Sequence, residues 1–452
     1  MNEHILHTEI ADLKQELELL QQSYKDLHTK YTRAQETIAK LQGKDGVINS
    51  SGVSHNKRFK MVTVMFAHIV GFQKLEHVDD PEKNVDELDS LYIELDSILE
   101  KYNIKKIKSL GDTYMYAGGI PKKNKTNPIE VVRAAMEILR FFENKQKHEG
   151  KIWDICLGIH TGPVQASISG KKKNIYELKG DAVNIASRTE AYSNPGKLIL
   201  SEMTYEFIRD FFICDKIGEM PVKYTGVITM YELIGFKPKY SNDNLLWIPN
   251  ERFHVKFGHV RFFDLEEYIL NRLEQELPSY LTYHNVKHTM DVLIGVEVIG
   301  TAEQVSSSDM LLLKTAALFH DMGHIVQAKN HENISCDFAH SILPHYDYTP
   351  VQINTICEII MATQLPPQPQ NLLEEIMCDA DLDYLGRSDF IPVSDTLYDE
   401  LFSQKIIRDK NEWNKLQIKF ISGHHYFTNF AKNNREVNKQ KQISRLRRII
   451  TD

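Results

Sequence analysis

Apolar side chains fall at Leu6, Ile10, Leu13, Leu17, Leu20, Tyr24, Leu27, Tyr31, Ala34, Ile38 and Leu41, at alternating steps of four and three, with charged and amide residues between them. The seam runs for about five heptads and predicts a dimerising coiled coil over 4–43. A single amphipathic helix docked on the following domain is the alternative with the same pattern. The stretch GKDGVINSSGVSHNK breaks the period and reads as a linker. Beyond it, RFKMVTVMFAHIV is a β-branched apolar run, DELDSLYIELDSILEKY has a helical period, IKKIKSLGDTYMYAGG reads as a hairpin and VVRAAMEILRFFENKQ is again helical. With strands in WDICLGIHTG and GKLILSEM, residues 58–236 form an α+β alternation. KPKYSNDNLLWIPNERF has no clear period and marks the next boundary. From there 259–452 is nearly all helix, through DLEEYILNRLEQEL, SDMLLLKTAALFHD, PVQINTICEIIMAT and EEIMCDADLDYLG.

Length supports this multidomain reading, because 452 residues exceed what one ordinary core holds. A net charge of -8 with both signs spread along the chain provides no basic field, so no nucleic-acid partner is expected and the ligands are small molecules. Five cysteines, at 156, 214, 336, 357 and 378, lack CxxC spacing; they point to a reducing compartment and to core packing. No apolar run approaches the roughly 20 residues of a bilayer span, and MNEHILHTEI lacks the regions of a signal peptide. The expectation is a cytoplasmic protein without membrane insertion.

Three separated motifs, VTVMFAHIVGF, IKSLGDTYMYAGG and ELKGDAVNIASR, stand in an order that resembles the class III adenylate and guanylate cyclases over 58–236. The resemblance implies an α+β ferredoxin-like domain whose active site forms between two subunits, so that a homodimer through coiled coil and cyclase-like domain is expected. It also implies two carboxylates that hold magnesium or manganese with the nucleotide. Asp112 matches the second carboxylate, but the first is replaced by His68. A carboxylate bridges two hard cations through two anionic oxygens, whereas a neutral imidazole offers one lone pair. The two-metal site is therefore expected to be broken. Asn184 and Arg188 match the residues that orient the ribose and stabilise charge on the transferring phosphate, and Lys108 and Glu177 match the base readers. A lysine donates to adenine N1 and a carboxylate accepts from the N6 amine, a pair complementary to adenine. The expectation is a nucleotide-binding, degenerate cyclase domain, with a working cyclase as the alternative.

From about 259 the chain resembles the HD superfamily, and YHNVKHTMDV, with Tyr283, His284, Asn285, His288 and Asp291, looks like the class I cyclic-nucleotide phosphodiesterases. ALFHDMGH adds His320, Asp321 and His324, and CDADLDYLG adds Asp379 and Asp381. Histidines and aspartates on packed helices suit manganese, magnesium, zinc or iron. The resemblance implies that His288, His320, Asp321 and Asp381 hold one divalent ion, with Asp321 also touching a second and Asp379 as the alternative to Asp381. His324 and His331 are candidates for the second ion or ordinary helix residues. His284 falls on the proton donor to the departing 3'-oxygen. Gln417 and Phe420 in LQIKFI match a purine site, where an amide reads the base edge and a ring clamps its face; the same spacing fits a plain amphipathic helix. The reading favoured is metal-dependent hydrolysis of cAMP or cGMP regulated by the cyclase-like domain. A bifunctional cyclase and phosphodiesterase, an HD phosphohydrolase for another nucleotide and a binding scaffold are the alternatives.

Overall fold

The computed structural model of the protein describes residues 56–71, 81–110, 112–149, 153–168, 176–222 and 226–450. The heptad segment 4–43 lies outside the described residues. The apolar run after the linker forms β1 (Asn56–Val70), which pairs antiparallel with β3 (Thr113–Gly118) on one side and β4 (Asp154–Ile168) on the other. Met65, Ala67 and Ile69 are buried in one core cluster and Val62, Val64 and Phe66 in another, so both faces of β1 are covered and its sequence does not alternate.

The expected hairpin pairs β2 (Lys105–Leu110) with β3, and α1 (Pro81–Lys101) and α2 (Asn127–Glu149) pack on the first cluster. Strand order β2-β3-β1-β4 with these helices in the crossovers is the ferredoxin-like arrangement. The sheet continues through β6 (Lys197–Ser201), β8 (Gly226–Phe236) and β7 (Phe212–Val222), while β5 (Tyr176–Lys179) pairs with β4. On the second face α3 (Asp181–Ala191) lies directly on β4: a β-carbon at Gly158 would meet the Glu190 backbone nitrogen at 2.0 Å. That close approach delivers the Glu190 side chain to the end of β1.

The segment read as a boundary contains the start of a long helix. α4 (Glu202–Ile208) is followed by β7 and β8, and then α5 (Glu251–Glu276) begins at an Asn250 cap whose side chain accepts from the Phe253 N–H. Phe253 and Phe257 enter the sheet-domain core beside Phe211, Phe212, Phe236 and Tyr240, whereas Phe262, Leu265, Ile269 and Leu273 belong to the helical core. One helix therefore serves both cores. The helical part continues with α6 (Val286–Ala302), α7 (Ser307–Phe319), α8 (His331–Ile342), α9 (Pro350–Met361), α10 (Leu372–Asp381), α11 (Phe390–Ser403), α12 (Lys410–Gly423), α13 (Asn429–Asn434) and α14 (Glu436–Ile449). Residues 56–452 form one compact unit. Among the described residues no helix is long and apolar enough to cross a membrane.

Phe253 is fully buried where the two cores meet. Phe253→Ala is expected to cost about 3–5 kcal/mol of stability, read from urea denaturation followed by circular dichroism; a change within experimental error would mean that this helix end is not part of the core.

Candidate metal centre

Local structure sets each side chain of the helical cluster. The Asn285 side chain accepts the N–H groups of Lys287 and His288 and so starts α6, which turns His288 inward. α7 is buried around much of its circumference and ends at His320, and Asp321 opens the turn that follows. Gly323 lies against the first residue of α8: a β-carbon there would meet the His331 carbonyl oxygen at 2.0 Å, so glycine is what lets His331 reach Asp321. Asp381 closes α10.

The structure brings His288, His320, Asp321 and Asp381 to one point. His288 Nε2 stands 3.1 Å from Asp381 Oδ1, 3.4 Å from Asp321 Oδ2 and 3.3 Å from His320 Nε2; His320 Nε2 is 3.2 Å from Asp321 Oδ2. Such separations are those of donor atoms around one cation, where ligand bonds of about 2.0–2.2 Å leave neighbouring donors roughly 3 Å apart. The His320 Nδ1–H donates to the Ala317 carbonyl at 2.8 Å, which fixes the tautomer and leaves the Nε2 lone pair facing the centre. Asp321 Oδ2 is buried without an aligned hydrogen bond. Two facing imidazole nitrogens and an orphaned carboxylate oxygen fit a divalent ion.

A second group shares Asp321. Its Oδ1 faces His331 Nε2 at 3.4 Å and His324 Nε2 at 3.9 Å, while His331 Nδ1 donates to the Ala328 carbonyl at 3.0 Å and is fixed in the same way as His320. His284, Asp321 and His324 also offer donor atoms within 4.8 Å of one another. His324 is stacked between the His284 and His331 rings, and both its nitrogens are buried without a hydrogen bond. Asp321 thus turns one oxygen to each group, as a bridging carboxylate does.

The electrostatics are those of a buried ionic cluster. Burial opposes charge on Asp321 and Asp381, yet the neighbouring histidines hold both carboxyls well below the usual range. Burial likewise opposes a charged His320, but Asp321 and Asp381 raise it well above the ordinary value. His324 is pushed down to about 4 by burial, which prevails over the pull of Asp321. A cation entering here displaces protons, so metal uptake weakens as pH falls.

Glu400, on α11, was not legible in the sequence. It accepts from His284 Nδ1 at 2.6 Å and from the backbone N–H groups of Tyr283 and His284 at 2.8 and 3.1 Å. Burial alone favours a neutral His284; the hydrogen bond to Glu400 together with the negative charges of Asp321, Glu400 and Asp381 outweighs it and raises the imidazole pKa. Asp379 is placed elsewhere: its fully buried carboxylate accepts from the N–H groups of Phe427 and Thr428 and from the Thr428 hydroxyl. Burial raises it to about 6 against those hydrogen bonds. Two residues along a helix are about 200° apart, so Asp379 and Asp381 face opposite sides.

A cavity of about 510 Å³ is lined by Asp321, His331, Asp381 and His284 together with Gln417, Phe420, Leu385 and Trp413. The Gln417 amide is held, its oxygen accepting from the Ser394 hydroxyl at 2.6 Å and its nitrogen donating to Asn414 at 3.4 Å. Ser394 in turn accepts from Trp413 Nε1 at 3.2 Å.

On the sheet domain His68 stands between two carboxylates, Nε2 at 3.2 Å from Asp112 and Nδ1 at 3.3 Å from Glu190. Burial raises the Glu190 pKa against the pull of His68. Lys108 lies on β2, Glu177 on β5, and Asn184 and Arg188 one turn apart on the exposed side of α3. Glu177 pairs with Lys179 at 3.2 Å, and Arg188 donates to the Pro221 carbonyl at 3.2 Å. Among the described residues no hydrogen bond or ion pair joins these four to His68 or Asp112.

Residues 54–235 match the family model of the adenylate and guanylate cyclase catalytic domain, and residues 285–383 match that of the HD domain. Guanylyl cyclase C from Sus scrofa is 34% identical over 202 residues, which are 43% of this chain and 19% of that protein. An adenylate cyclase from Mycobacterium tuberculosis is 31% identical over 180 residues, 40% of this chain and 41% of that protein. The chain thus spans less than half the length of either curated relative. The guanylate cyclase domain of RhGC from Catenaria anguillulae, solved with GTP, is 28% identical, covers 40% of this chain and 100% of that one, and has a TM-score of 0.37.

The two aspartates of α10 are separable. Asp381→Ala is expected to weaken manganese binding at least roughly tenfold in equilibrium titrations. Asp379→Ala is expected to cost roughly 1–3 kcal/mol of stability by leaving buried N–H groups unpaired while binding of the ion persists; the reverse pattern would exchange their roles.

Proposed function

We propose that this chain, which combines a class III cyclase catalytic domain at 54–235 with an HD domain at 285–383, hydrolyses a purine 3',5'-cyclic nucleotide to the 5'-monophosphate in its helical half. The observation that carries the reading is the single cavity in which the Asp321 and Asp381 carboxylates, the His284–Glu400 pair and the Gln417–Phe420 wall converge. Its volume of about 510 Å³ lies within the range of small-molecule sites. His288, His320, Asp321 and Asp381 would hold one divalent ion, and Asp321 with His324 and His331 a second. When bound, such ions neutralise phosphate charge and make a water acidic enough to attack phosphorus at neutral pH.

The remaining chemistry belongs to the chain's own side chains. Phe420 offers a ring face and Gln417 an amide to a purine, which sets the phosphate toward Asp321 and Asp381. His284, protonated and hydrogen-bonded through Nδ1 to Glu400, gives its Nε2 proton to the departing 3'-oxygen. Glu400 keeps that imidazole charged and oriented, and it is itself held low by His284 against the effect of burial. Leu385, Phe420 and Ile421 exclude bulk water from one side of the cavity.

The cyclase-like half serves in this reading as a nucleotide-binding regulator, within a cytoplasmic homodimer joined through the 4–43 segment and that domain. Lys108, Glu177, Asn184 and Arg188 would grip the nucleotide. Support for lost cyclase chemistry comes from His68, whose two ring nitrogens both face carboxylates where a bridging carboxylate would serve two ions. A bifunctional cyclase and phosphodiesterase is the competing reading.

Incubation of the purified protein with manganese or magnesium and, separately, cAMP, cGMP, ATP and GTP decides between them by chromatography of the products. Release of AMP or GMP from a cyclic substrate, abolished by chelation and by His320→Ala, is expected; cyclic product from a triphosphate with the cyclic substrates intact would overturn the assignment. Glu400→Gln is expected to move the alkaline limb of kcat/KM to lower pH. Glu400 is the leading group that raises the His284 pKa against burial, so without it the acid form is lost at lower pH even though Asp321 and Asp381 still favour it. An unmoved alkaline limb would remove His284 from the role of acid.

A further inference from the structure

Two cysteines face each other behind the metal motif. Cys336 lies on α8 and Cys357 on α9, both half-buried. The Cys336 sulfur stands 3.7 Å from the Cys357 carbonyl oxygen, and the Cys357 sulfur 3.9 Å from the Cys336 carbonyl oxygen. Reciprocal contacts of this kind put the two side chains in one seam between the helices. The two thiols are close enough to perturb each other, which lowers the Cys357 pKa and raises that of Cys336. The other cysteines lack such a partner sulfur: burial raises Cys156 to about 11 and Cys214 to about 12, and Cys378 donates to the Ala362 carbonyl at 3.1 Å. Core packing, the expectation from the sequence, accounts for those three better than for the facing pair.

The position of the pair gives it leverage. Ser335, next to Cys336, donates to the His320 carbonyl at 2.7 Å and accepts from the Gly323 N–H at 2.8 Å. α8 is therefore pinned to the turn that carries Asp321 and His324. We propose that Cys336 and Cys357 form a peroxide-responsive thiol pair that closes into a disulfide, tying α8 to α9 and stiffening that turn.

The chemistry balances with one hydroperoxide as oxidant. The Cys357 thiolate attacks a peroxide oxygen, an S–O bond forms as the O–O bond breaks, and the departing hydroxide takes the thiol's proton to leave as water. The Cys336 sulfur then attacks the sulfenic sulfur: an S–S bond forms, the S–O bond breaks, and a second water leaves with the remaining thiol proton. Two thiols lose two electrons in total, and the peroxide gains them.

The test treats the full chain with one equivalent of hydrogen peroxide, alkylates the remaining thiols and maps peptides without reduction. A single intramolecular link between the Cys336 and Cys357 peptides is expected, with a mass loss of two hydrogens and a thiol titre lower by two of the five. The link reverses with dithiothreitol, persists in Cys378→Ser and is absent from Cys336→Ser. Amide hydrogen exchange across 320–336 slows several-fold in the oxidised form. Over-oxidised single cysteines, a link to any other cysteine, or the expected link with unchanged exchange would each overturn the proposal. None of these readouts requires hydrolase activity, so they stand apart from the test of function.

Discussion

The burial of Phe253 and Phe257 at one end of α5, and of Phe262, Leu265, Ile269 and Leu273 along the rest of it, is the constraint on which the arrangement of residues 56–450 depends. A helix of 26 residues is a rod of about 39 Å, so seating its start in the aromatic core of the sheet domain fixes where the remainder points. The Arg133 guanidinium completes the seat by lying over the Tyr102, Phe253 and Phe257 rings. Burial lowers the Arg133 pKa, but a guanidinium remains charged, and three ring faces replace part of its lost hydration.

The metal-type cluster answers a different energetic problem. Burying His288, His320 and Asp321 costs several kcal/mol per ion unless opposite charges meet them. Each member here faces a partner, and backbone carbonyls hold His320 and His331 in one tautomer with their lone pairs aimed inward. His324, with no hydrogen bond on either nitrogen and Asp321 Oδ1 only at 3.9 Å, marks where that compensation weakens. His68 presents the inverse case, a base set between Asp112 and Glu190 at a half-exposed strand end, where the carboxylates meet an imidazole rather than a bridging acid.

What the sequence could reveal follows from how locally each feature is encoded. The strand, hairpin and helix patterns of the sheet domain and the histidine-aspartate motifs are written within a few residues of one another, and they could be read directly. Glu400 could not: it reaches His284 across 116 positions, and nothing in TLYDELF sets it apart from a solvated helix acid. Glu190 is similar, delivered to His68 by the contact of α3 with Gly158. Asp379 and Asp381 look interchangeable in CDADLD until a helix turns them to opposite sides. The start of α5 was hidden because its first turns hold apolar side chains for a different core from the one that its later turns serve, so no single stripe runs through it.

Any influence of the sheet domain on the helical cluster has to pass through the groups that join them. Among the described residues, side chains of α5 make several of these links. The Lys125 N–H donates to both oxygens of Asp264 at 2.9 Å, and Arg261 donates to the Tyr346 carbonyl at 2.8 Å and pairs with Asp347 at 2.7 Å. Arg261 also stacks on Phe257, so one side chain touches both the aromatic seat and the turn after α8. A ligand on the sheet domain shifts the helical half only by its differential affinity for two arrangements of this seam. Because α8 leads from that turn back to His331 and Asp321, a displacement at Arg261 and one at Cys336 act on the same short helix, from its far end and from its middle.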